Sequence, residues 1–387
     1  MRFSRIFLII LDSLGVGATR DAHLYGDQGA NTLDSLIKKT KISFPNLEKL
    51  GLLTLLTPQE TNSIAYYATA TPVSNGKDTL TGHYELMGLE TKVPYQRFTD
   101  TNFPSELIKE IENQTKRPVI GNVAASGTVI INELGAEHLR TGALIIYTSA
   151  DSVLQVAAHE DVIPVPELYD ICAKIRQITK KDKWKVGRVI ARPFTGKIGE
   201  FIRTAYRKDY ALEPPEKTVL DNLKDKGYQV ISIGKISDVF TGSGITQSFN
   251  TVSNLDGIKK ILTTLKKDFT GLCITNLNDF DSKYGHRRDI KGYAEALLEF
   301  DNYLPEIIKR LNMDDLLIIT ADHGNDPAYM GTDHTREKVP VLLYAKQFKY
   351  PKRLHNLDTL AVVGATIADN FKVTKPTIGK SILKRLE

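Results

Sequence analysis

The stretch that decides the fold is "DLLIITADHGNDPAYMGTDHTRE", residues 315–337. It opens with the aliphatic run Leu316, Leu317, Ile318, Ile319, the pattern of a short strand buried on both faces. The eighteen residues from Thr320 to Glu337 then hold two of the chain's eight histidines, three aspartates and two glycines. A strand that empties at once into carboxylates and imidazoles is how an open α/β sheet builds a site at its carboxyl edge. The rest of the chain repeats this arrangement. "IFLIIL" (residues 6–11) runs into Asp12, and "GLCITNL" (271–277) into "NDFDSKYGH", with Asp279, Asp281 and His286. "YQVISIG" (228–234) and "VPVLLYA" (339–345) are two more aliphatic runs. Helical patterns lie between or after them at 257–268, 293–311 and 358–371. Strand and helix in alternation predict an α/β fold, with these runs in a mostly parallel sheet between helices.

Residues 94–213 read differently. Strand-like "ALIIYTSA", "VLQVAAHE" and "VGRVIARPF" and one helical stretch, "VPELYDICAKIRQIT", follow one another in a more mixed order, and Pro214-Pro215 closes the region. The expectation is a core domain made of residues 1–93 and 214–387, interrupted by an inserted α+β domain at 94–213. A chain of 387 residues has room for both.

Composition narrows the partners. With 41% hydrophobic and 25% charged residues the chain is an ordinary globular protein. Its formal charge of +5 is mild and forms no block, so neither nucleic acid nor a membrane surface is expected as a partner, whereas small anionic substrates are compatible. Two cysteines, Cys172 and Cys273, give no disulfide framework. The apolar run after Arg2 and Arg5 ends at Asp12, short of the roughly 7–15 residues of a secretory segment, and no run approaches the ~20 of a membrane span. The expectation is a cytoplasmic monomer with its N-terminus retained.

A single aspartate after a strand is ordinarily a helix cap, and a single histidine in an Asp- and Gly-rich loop is ordinarily solvated. Three such sets after three strands point elsewhere. Imidazoles mixed with carboxylates suit Mn²⁺ or Zn²⁺ better than the oxygen-seeking Mg²⁺ or Ca²⁺. Six side chains exceed what one catalytic ion with open positions uses, so two ions are expected. Two divalent ions against three carboxylates leave the site slightly positive, which favours a phosphate dianion. A further stretch, "SNGKDTLTGHYELMG" (74–88), is a turn followed by a possible helix start. A threonine there would lie among the free N–H groups of a helix N-terminus, where phosphate binds. From spacing alone Thr79 and Thr81 both qualify as a nucleophile, and His83 reads as a hydrogen-bonding neighbour.

At these residues the chain resembles the phosphopentomutase family of the alkaline phosphatase superfamily. The resemblance is carried by "IFLIILDSLGVG", "GKDTLTGHYELMG", "YTSADSVLQVAAHE", "VGRVIARPF", "IGKISD", "DFDSKYGHRRD" and "TADHGNDPAYMGTDHTRE", and so covers nearly the whole chain. It implies an alkaline-phosphatase-like core with an inserted cap domain. It implies Asp281, His286 and His334 as ligands of one ion, and Asp12, Asp322, His323 and the Thr79 hydroxyl as ligands of the other. Thr79 takes the position of the phosphate-carrying nucleophile. The cofactors implied are two Mn²⁺ ions and a priming sugar bisphosphate (ribose 1,5-bisphosphate or glucose 1,6-bisphosphate). The implied reaction interconverts ribose 1-phosphate and ribose 5-phosphate, or their 2-deoxy forms, through phosphothreonine. Ser149, Asp151, Arg188 and Lys235 match substrate-binding positions, with Arg192 as a further candidate. Arg287 and Arg288 are read as supports of the metal loop. One departure is Tyr84, where the family has tryptophan. Related readings are a two-metal phosphatase and a cofactor-independent phosphoglycerate mutase, although the latter uses a serine where this chain has threonine. A non-catalytic binding protein would show degraded ligands, and none is degraded here.

Overall fold

The computed structural model describes residues 2–57, 62–149 and 152–386. The chain begins with strand β1 (Arg5–Leu11), helices α1 (Thr32–Thr40) and α2 (Pro45–Lys49), strand β2 (Tyr66–Ala70) and helix α3 (Thr79–Leu86). It continues through α4 (Ser105–Thr115), β3 (Val119–Ala124), α5 (Gly127–Thr141), β4 (Leu144–Thr148), β5 (Val153–His159), α6 (Val165–Ile178), β6 (Arg188–Thr195), β7 (Ile202–Arg203) and β8 (Lys208–Ala211). The last part holds α7 (Val219–Asp225), β9 (Gln229–Ile233), α8 (Ile236–Val239), β10 (Gln247–Phe249), α9 (Asn254–Thr264), β11 (Gly271–Leu277), α10 (Ile290–Arg310), β12 (Asp315–Thr320), β13 (Val339–Tyr344) and α11 (Val362–Phe371). Two compact units result, one of Met1–Val93 with Pro214–Glu387 and one of Pro94–Glu213.

The first unit is built on a seven-stranded sheet of order β10-β9-β11-β1-β12-β13-β2. The five strands from β10 to β12 are parallel. β1 is central and buried along its whole length, which is why its sequence shows no polar alternation. The expectation that residues 339–345 join the parallel set is corrected: β13 runs antiparallel to β12, and β2 antiparallel to β13. The cause lies in the connection. A parallel return needs a crossover, usually a helix, and the segment between β12 and β13 contains none, so the chain turns back beside the strand it left. β2 ("YYATA") lacks the aliphatic run that marks the other core strands.

Helix starts follow local chemistry. Asn31 caps α1, Asp78 caps α3, Ser253 caps α9 and Asp289 caps α10, each accepting a first-turn N–H. β1, β11 and β12 are adjacent and parallel, so their carboxyl ends and the residues just beyond lie side by side.

The second unit is a mixed sheet of order β3-β4-β5-β6-β7, with β8 also paired to β6. Period-two alternation splits its apolar residues between two faces. Leu144, Ile146, Leu154, Val156, Val189 and Ala191 pack with residues of α4 and α6, and Ile145, Tyr147, Ala157 and Phe194 pack with residues of α5. His138 and His159 are structural here. His138 Nδ1 donates to the Ala143 carbonyl (2.5 Å) while its Nε2 accepts from the His159 N–H (2.8 Å). Cys172 and Cys273 are buried free thiols. No helix among the described residues is long and apolar enough to cross a membrane.

Candidate metal centre

The strand ends deliver two groups of ligand-type side chains, Asp12 with Asp322 and His323, and Asp281 with His286 and His334. Within each group one ligand atom from every residue lies within 4.8 Å of the others. Asp12 follows β1 directly. Its neighbour Ser13 takes a left-handed backbone (φ 70°), an uncommon conformation for a non-glycine residue, and its N–H donates to Asp322 Oδ1 (3.2 Å). Asp281 sits in a single π-turn at 280–284, with His286 in the 3₁₀ turn after it. Asp322, His323 and His334 all come from the β12–β13 segment. One loop therefore serves both groups.

The imidazoles are oriented by the backbone. Nδ1 of His286 faces the Thr332 carbonyl (2.7 Å), Nδ1 of His334 the Lys77 carbonyl (2.9 Å) and Nδ1 of His323 the Gly324 carbonyl (3.1 Å). A proton on each Nδ1 leaves each Nε2 with its lone pair turned inward. The Nε2 atoms of His286 and His334 lie 3.0 Å apart, and both face Asp281, at 3.2 and 3.3 Å. Lone pairs and a carboxylate aimed at one point make a site that could hold a metal ion.

The other group has the same deficit. Asp12 and Asp322 are buried, and among the described residues no donor reaches Asp12 Oδ1 and Asp322 Oδ2 lacks a hydrogen bond. His83 Nδ1 lies 3.0 Å from Asp322 Oδ2, but its proton is engaged by the Thr79 carbonyl (2.9 Å). Orphaned buried carboxylate oxygens cost free energy unless a cation pairs with them. Burial, then the charge of Asp322, pushes Asp12 up to about 7. Burial also acts to raise Asp322, but His323 and His83 hold it below the usual carboxylate range. Burial lowers His323 to about 4, which keeps it neutral, the form that binds metal. Against burial, His286 and His334 hold Asp281 low, and Asp281 holds His286 high. The donor set, three carboxylates and three inward imidazoles, fits two divalent transition-metal ions.

Thr79 is the first residue of α3. Its Oγ1 lies 3.3 Å from His323 Nε2 and 3.4 Å from Lys235 Nζ. Thr81, which spacing left open, gives its hydroxyl to Asp78 Oδ2 (2.6 Å), so of the two only Thr79 faces the ligand group. Lys235, just after β9, also touches Asp12 Oδ2 (2.5 Å), and that charge holds its pKa high against burial. Gly82 explains how close α3 comes: a Cβ there would lie 2.1 Å from the Asp322 carbonyl oxygen. Tyr84 packs its ring on Phe240, the residue just after α8, in the core (5.5 Å).

Asp279 and Asp326 are not in either group. Asp279 accepts from the Asn254 N–H and Lys283, and Asp326 from the Asn31 N–H and Ser35. Ser149, Arg188 and Arg192 belong to the second unit. Ser149 Oγ accepts from Gln155 (3.3 Å), Arg188 lies 3.5 Å from Asp209, and Arg192 Nε donates to Gln155 (3.0 Å). Asp151 lies outside the described residues.

The chain matches the Metalloenzyme superfamily over residues 4–375. It belongs to that superfamily. Among solved structures it is similar to the PH0037 protein from Pyrococcus horikoshii (13% identity, 96% of this chain and 98% of that one, TM-score 0.50). It is also similar to Leishmania mexicana phosphoglycerate mutase, solved at low cobalt concentration (12% identity, 98% and 97% covered, TM-score 0.50). A protein in the alkaline phosphatase superfamily from Vibrio parahaemolyticus matches with 15% identity, 100% and 71% covered, and a TM-score of 0.47. The fold is alkaline-phosphatase-like, and Metalloenzyme membership implies bound metal ions.

Several supporting residues escaped sequence reasoning. Asn325 donates to Asp281 Oδ1 (2.8 Å) and accepts from Arg288 (2.6 Å). Arg288, which the sequence did suggest as a support of the metal loop, also donates to the carbonyls of Gly285, Gly331, Asp326 and Asp333. Arg336, fully buried, donates to the carbonyls of Pro72, Ser74 and Gly76 and so fixes the turn before Thr79. Glu337 accepts from the Gly17 and Thr32 N–H groups and from the Thr32 and Thr335 hydroxyls. The available signal was a run of three charged residues, Arg336 to Lys338, placed directly before a buried aliphatic strand.

Proposed function

We propose that this metalloenzyme is a phosphopentomutase, interconverting 1-phosphates and 5-phosphates of ribose or deoxyribose through a phosphorylated Thr79. The observation that carries the reading is the Thr79 hydroxyl at the start of α3, beside His323, Lys235 and two three-residue ligand groups. The sequence resemblance, in "GKDTLTGH", "YTSADSVLQ" and "GHRRD", supplies the substrate. Asp12, Asp322, His323 and Thr79 would hold one Mn²⁺, and Asp281, His286 and His334 the other. When bound, the two ions neutralise charge on the transferring phosphoryl group and make the Thr79 oxygen a better nucleophile and leaving group.

The chain's own groups do the rest. With Thr79 phosphorylated by a sugar bisphosphate, the free hydroxyl of the pentose phosphate attacks phosphorus. The new sugar O–P bond forms as the Thr79 O–P bond breaks, and the proton lost by the sugar hydroxyl ends on Thr79 Oγ1, which is restored as a free hydroxyl. The resulting bisphosphate returns its other phosphate to Thr79 by the reverse exchange. Lys235 offsets charge on the Thr79 oxygen, and free N–H groups of the α3 first turn face the phosphate. Ser149, Asp151, Arg188 and Arg192 are assigned to the sugar and the unreacting phosphate, arginine being suited by its forked donors.

The test is Thr79→Ala in the Mn²⁺-loaded protein. Interconversion of ribose 1-phosphate and ribose 5-phosphate should be lost, and incubation of the unaltered protein with glucose 1,6-bisphosphate should add one phosphoryl mass at Thr79. Interconversion near the original rate in the variant would rule out the nucleophile. A labelled Thr79 that releases only inorganic phosphate would favour a two-metal phosphatase.

A further inference from the structure

Tyr293 touches both halves of the metal centre without belonging to either. It opens the buried stripe of α10, in which Tyr293, Leu297, Phe300, Leu304 and Ile307 recur at helical spacing and turn inward. The cap residue Asp289 accepts the Gly292 N–H (2.9 Å) and so fixes where that stripe begins. Tyr293 is fully buried, and its hydroxyl needs partners there. Among the described residues it finds them in one place, the turn directly after β1. They are the Asp12 carbonyl (3.3 Å) and the Ser13 hydroxyl (3.1 Å). A carbonyl can only accept, so the phenol proton goes to Asp12, and the Ser13 hydroxyl gives its own to the phenol oxygen.

That turn carries one ligand and steers another. Ser13 is buried and holds a left-handed backbone (φ 70°), which any side chain disfavours. Its N–H donates to Asp322 Oδ1 (3.2 Å), and its carbonyl accepts from the Asn325 N–H (3.1 Å). The Tyr293 hydroxyl therefore stands behind both carboxylates of one ligand group. Its ring has a different task. It stacks on Phe280 (centroids 5.5 Å apart, planes at 26°), which opens the π-turn and directly precedes Asp281. A phenylalanine at 293 would fill the same space and keep this stack, but it would leave the Asp12–Ser13 turn untied.

We infer that Tyr293 is a positioning residue of the metal centre, whose hydroxyl aims the Asp12 and Asp322 carboxylates while its ring seats the turn that carries Asp281. It acts through Asp12, Ser13 and Phe280, and the inference rests on the two-metal reading above. Without the hydroxyl, the strained turn relaxes away from its left-handed conformation, and the oxygens of Asp12 and Asp322 lose their fixed approach to a shared cation. One side chain thus has two separable functions, one for each ligand group.

The experiment is a Mn²⁺ titration of the full-length protein without sugar phosphate, with free Mn²⁺ read by electron paramagnetic resonance. Two backgrounds separate the groups: His286→Ala leaves the Asp12 group as the tighter site, and His323→Ala leaves the Asp281 group. Tyr293→Phe should weaken Mn²⁺ about ten- to a hundredfold in the first background and leave it within about twofold in the second, the range expected for losing an outer support of one site only. Tyr293→Leu, which removes the stack as well, should weaken both. Ser13→Ala cuts the hydroxyl bond from its other end and should repeat the loss in the first background. Melting curves of the metal-free variants check that each folds. Equal loss from Tyr293→Phe in both backgrounds would make Tyr293 an ordinary core residue, and no loss in either would remove it from the centre; each overturns the inference. Absence of Mn²⁺ binding by the unaltered protein would overturn the centre itself. The selective loss together with failed pentose phosphate turnover would uphold the inference and overturn only the substrate assignment.

Discussion

Gly82 offers the sharpest test of how the centre is assembled, because two general rules disagree about it. Gly82 lies inside α3, where alanine is worth about 1 kcal/mol more than glycine, so helix propensity alone predicts that Gly82→Ala stabilises the protein. The structure predicts the opposite. The new Cβ would sit 2.1 Å from the Asp322 carbonyl oxygen and 2.7 Å from its carbon. Both partners are backbone, so no rotamer change relieves the clash, and α3 and the loop after β12 must separate by roughly 1 Å. Overpacking of this kind costs about 1–3 kcal/mol. That exceeds or cancels the propensity gain, so net destabilisation of up to about 2 kcal/mol is expected. The same shift carries Thr79 away from His323, now 3.3 Å distant, and a misplacement of about 1 Å can lower a rate by about 10². Urea unfolding reads the first effect and pentose phosphate interconversion under Mn²⁺ the second, and a Mn²⁺ titration should find the Asp281, His286 and His334 site intact. A variant more stable than the parent, with a rate within threefold of it, would refute the account of why α3 lies where it does.

Three further outcomes follow from the same geometry. Arg288→Ala removes the guanidinium that holds Asn325 on Asp281 and should weaken Mn²⁺ at that group by about ten- to a hundredfold in a titration, the usual cost of losing an outer support; unchanged affinity would remove Arg288 from the argument. Adding Mn²⁺ at a hundred times its dissociation constant should stabilise the chelated protein by about 2.7 kcal/mol per site, read as a raised unfolding midpoint, whereas no shift would mean that the converging Nε2 atoms hold no ion. His138 is kept neutral by burial, so its folded pKa lies below the usual 6.5, and the unfolded chain binds the extra proton first. Stability should therefore fall as pH drops below about 6.5, by up to about 1.4 kcal/mol per pH unit relative to His138→Gln, in urea unfolding at pH 7.5 and 5; parallel curves would contradict it.

What could be read in the sequence was chemistry that is rare and placed at strand ends. An aspartate or histidine straight after an aliphatic run is conspicuous, and adjacent parallel strands bring such residues together, so a strand-end metal centre was legible before any coordinates; spacing also offered Asp279 and Asp326, and the division into two three-residue groups came from the family resemblance. Strand direction was not. A strand buried on both faces has the same composition whether it runs up or down, and β13 could be placed only once the β12–β13 segment was seen to lack a crossover helix. The choice between Thr79 and Thr81 was likewise invisible to spacing; the family resemblance favoured Thr79, and the Asp78–Thr81 bond leaves Thr79 as the one beside the ligand group.

The hardest residues to read were ordinary ones whose role depends on what folds back against them. Glu337 shows why. Thr32 Oγ1 and Thr335 Oγ1 each already accept a backbone N–H, from Asn325 and Asp326, so each must spend its proton on Glu337. Two backbone N–H groups complete four donors around one carboxylate, while Gly15 and Gly324 leave no room for a Cβ beside it. An amide in place of the carboxylate would turn its own N–H bonds toward two of those donors. A glutamine at 337 is therefore expected to loosen the loop after β1, the start of α1 and the metal-bearing loop together, although it alters no atom of either ligand group.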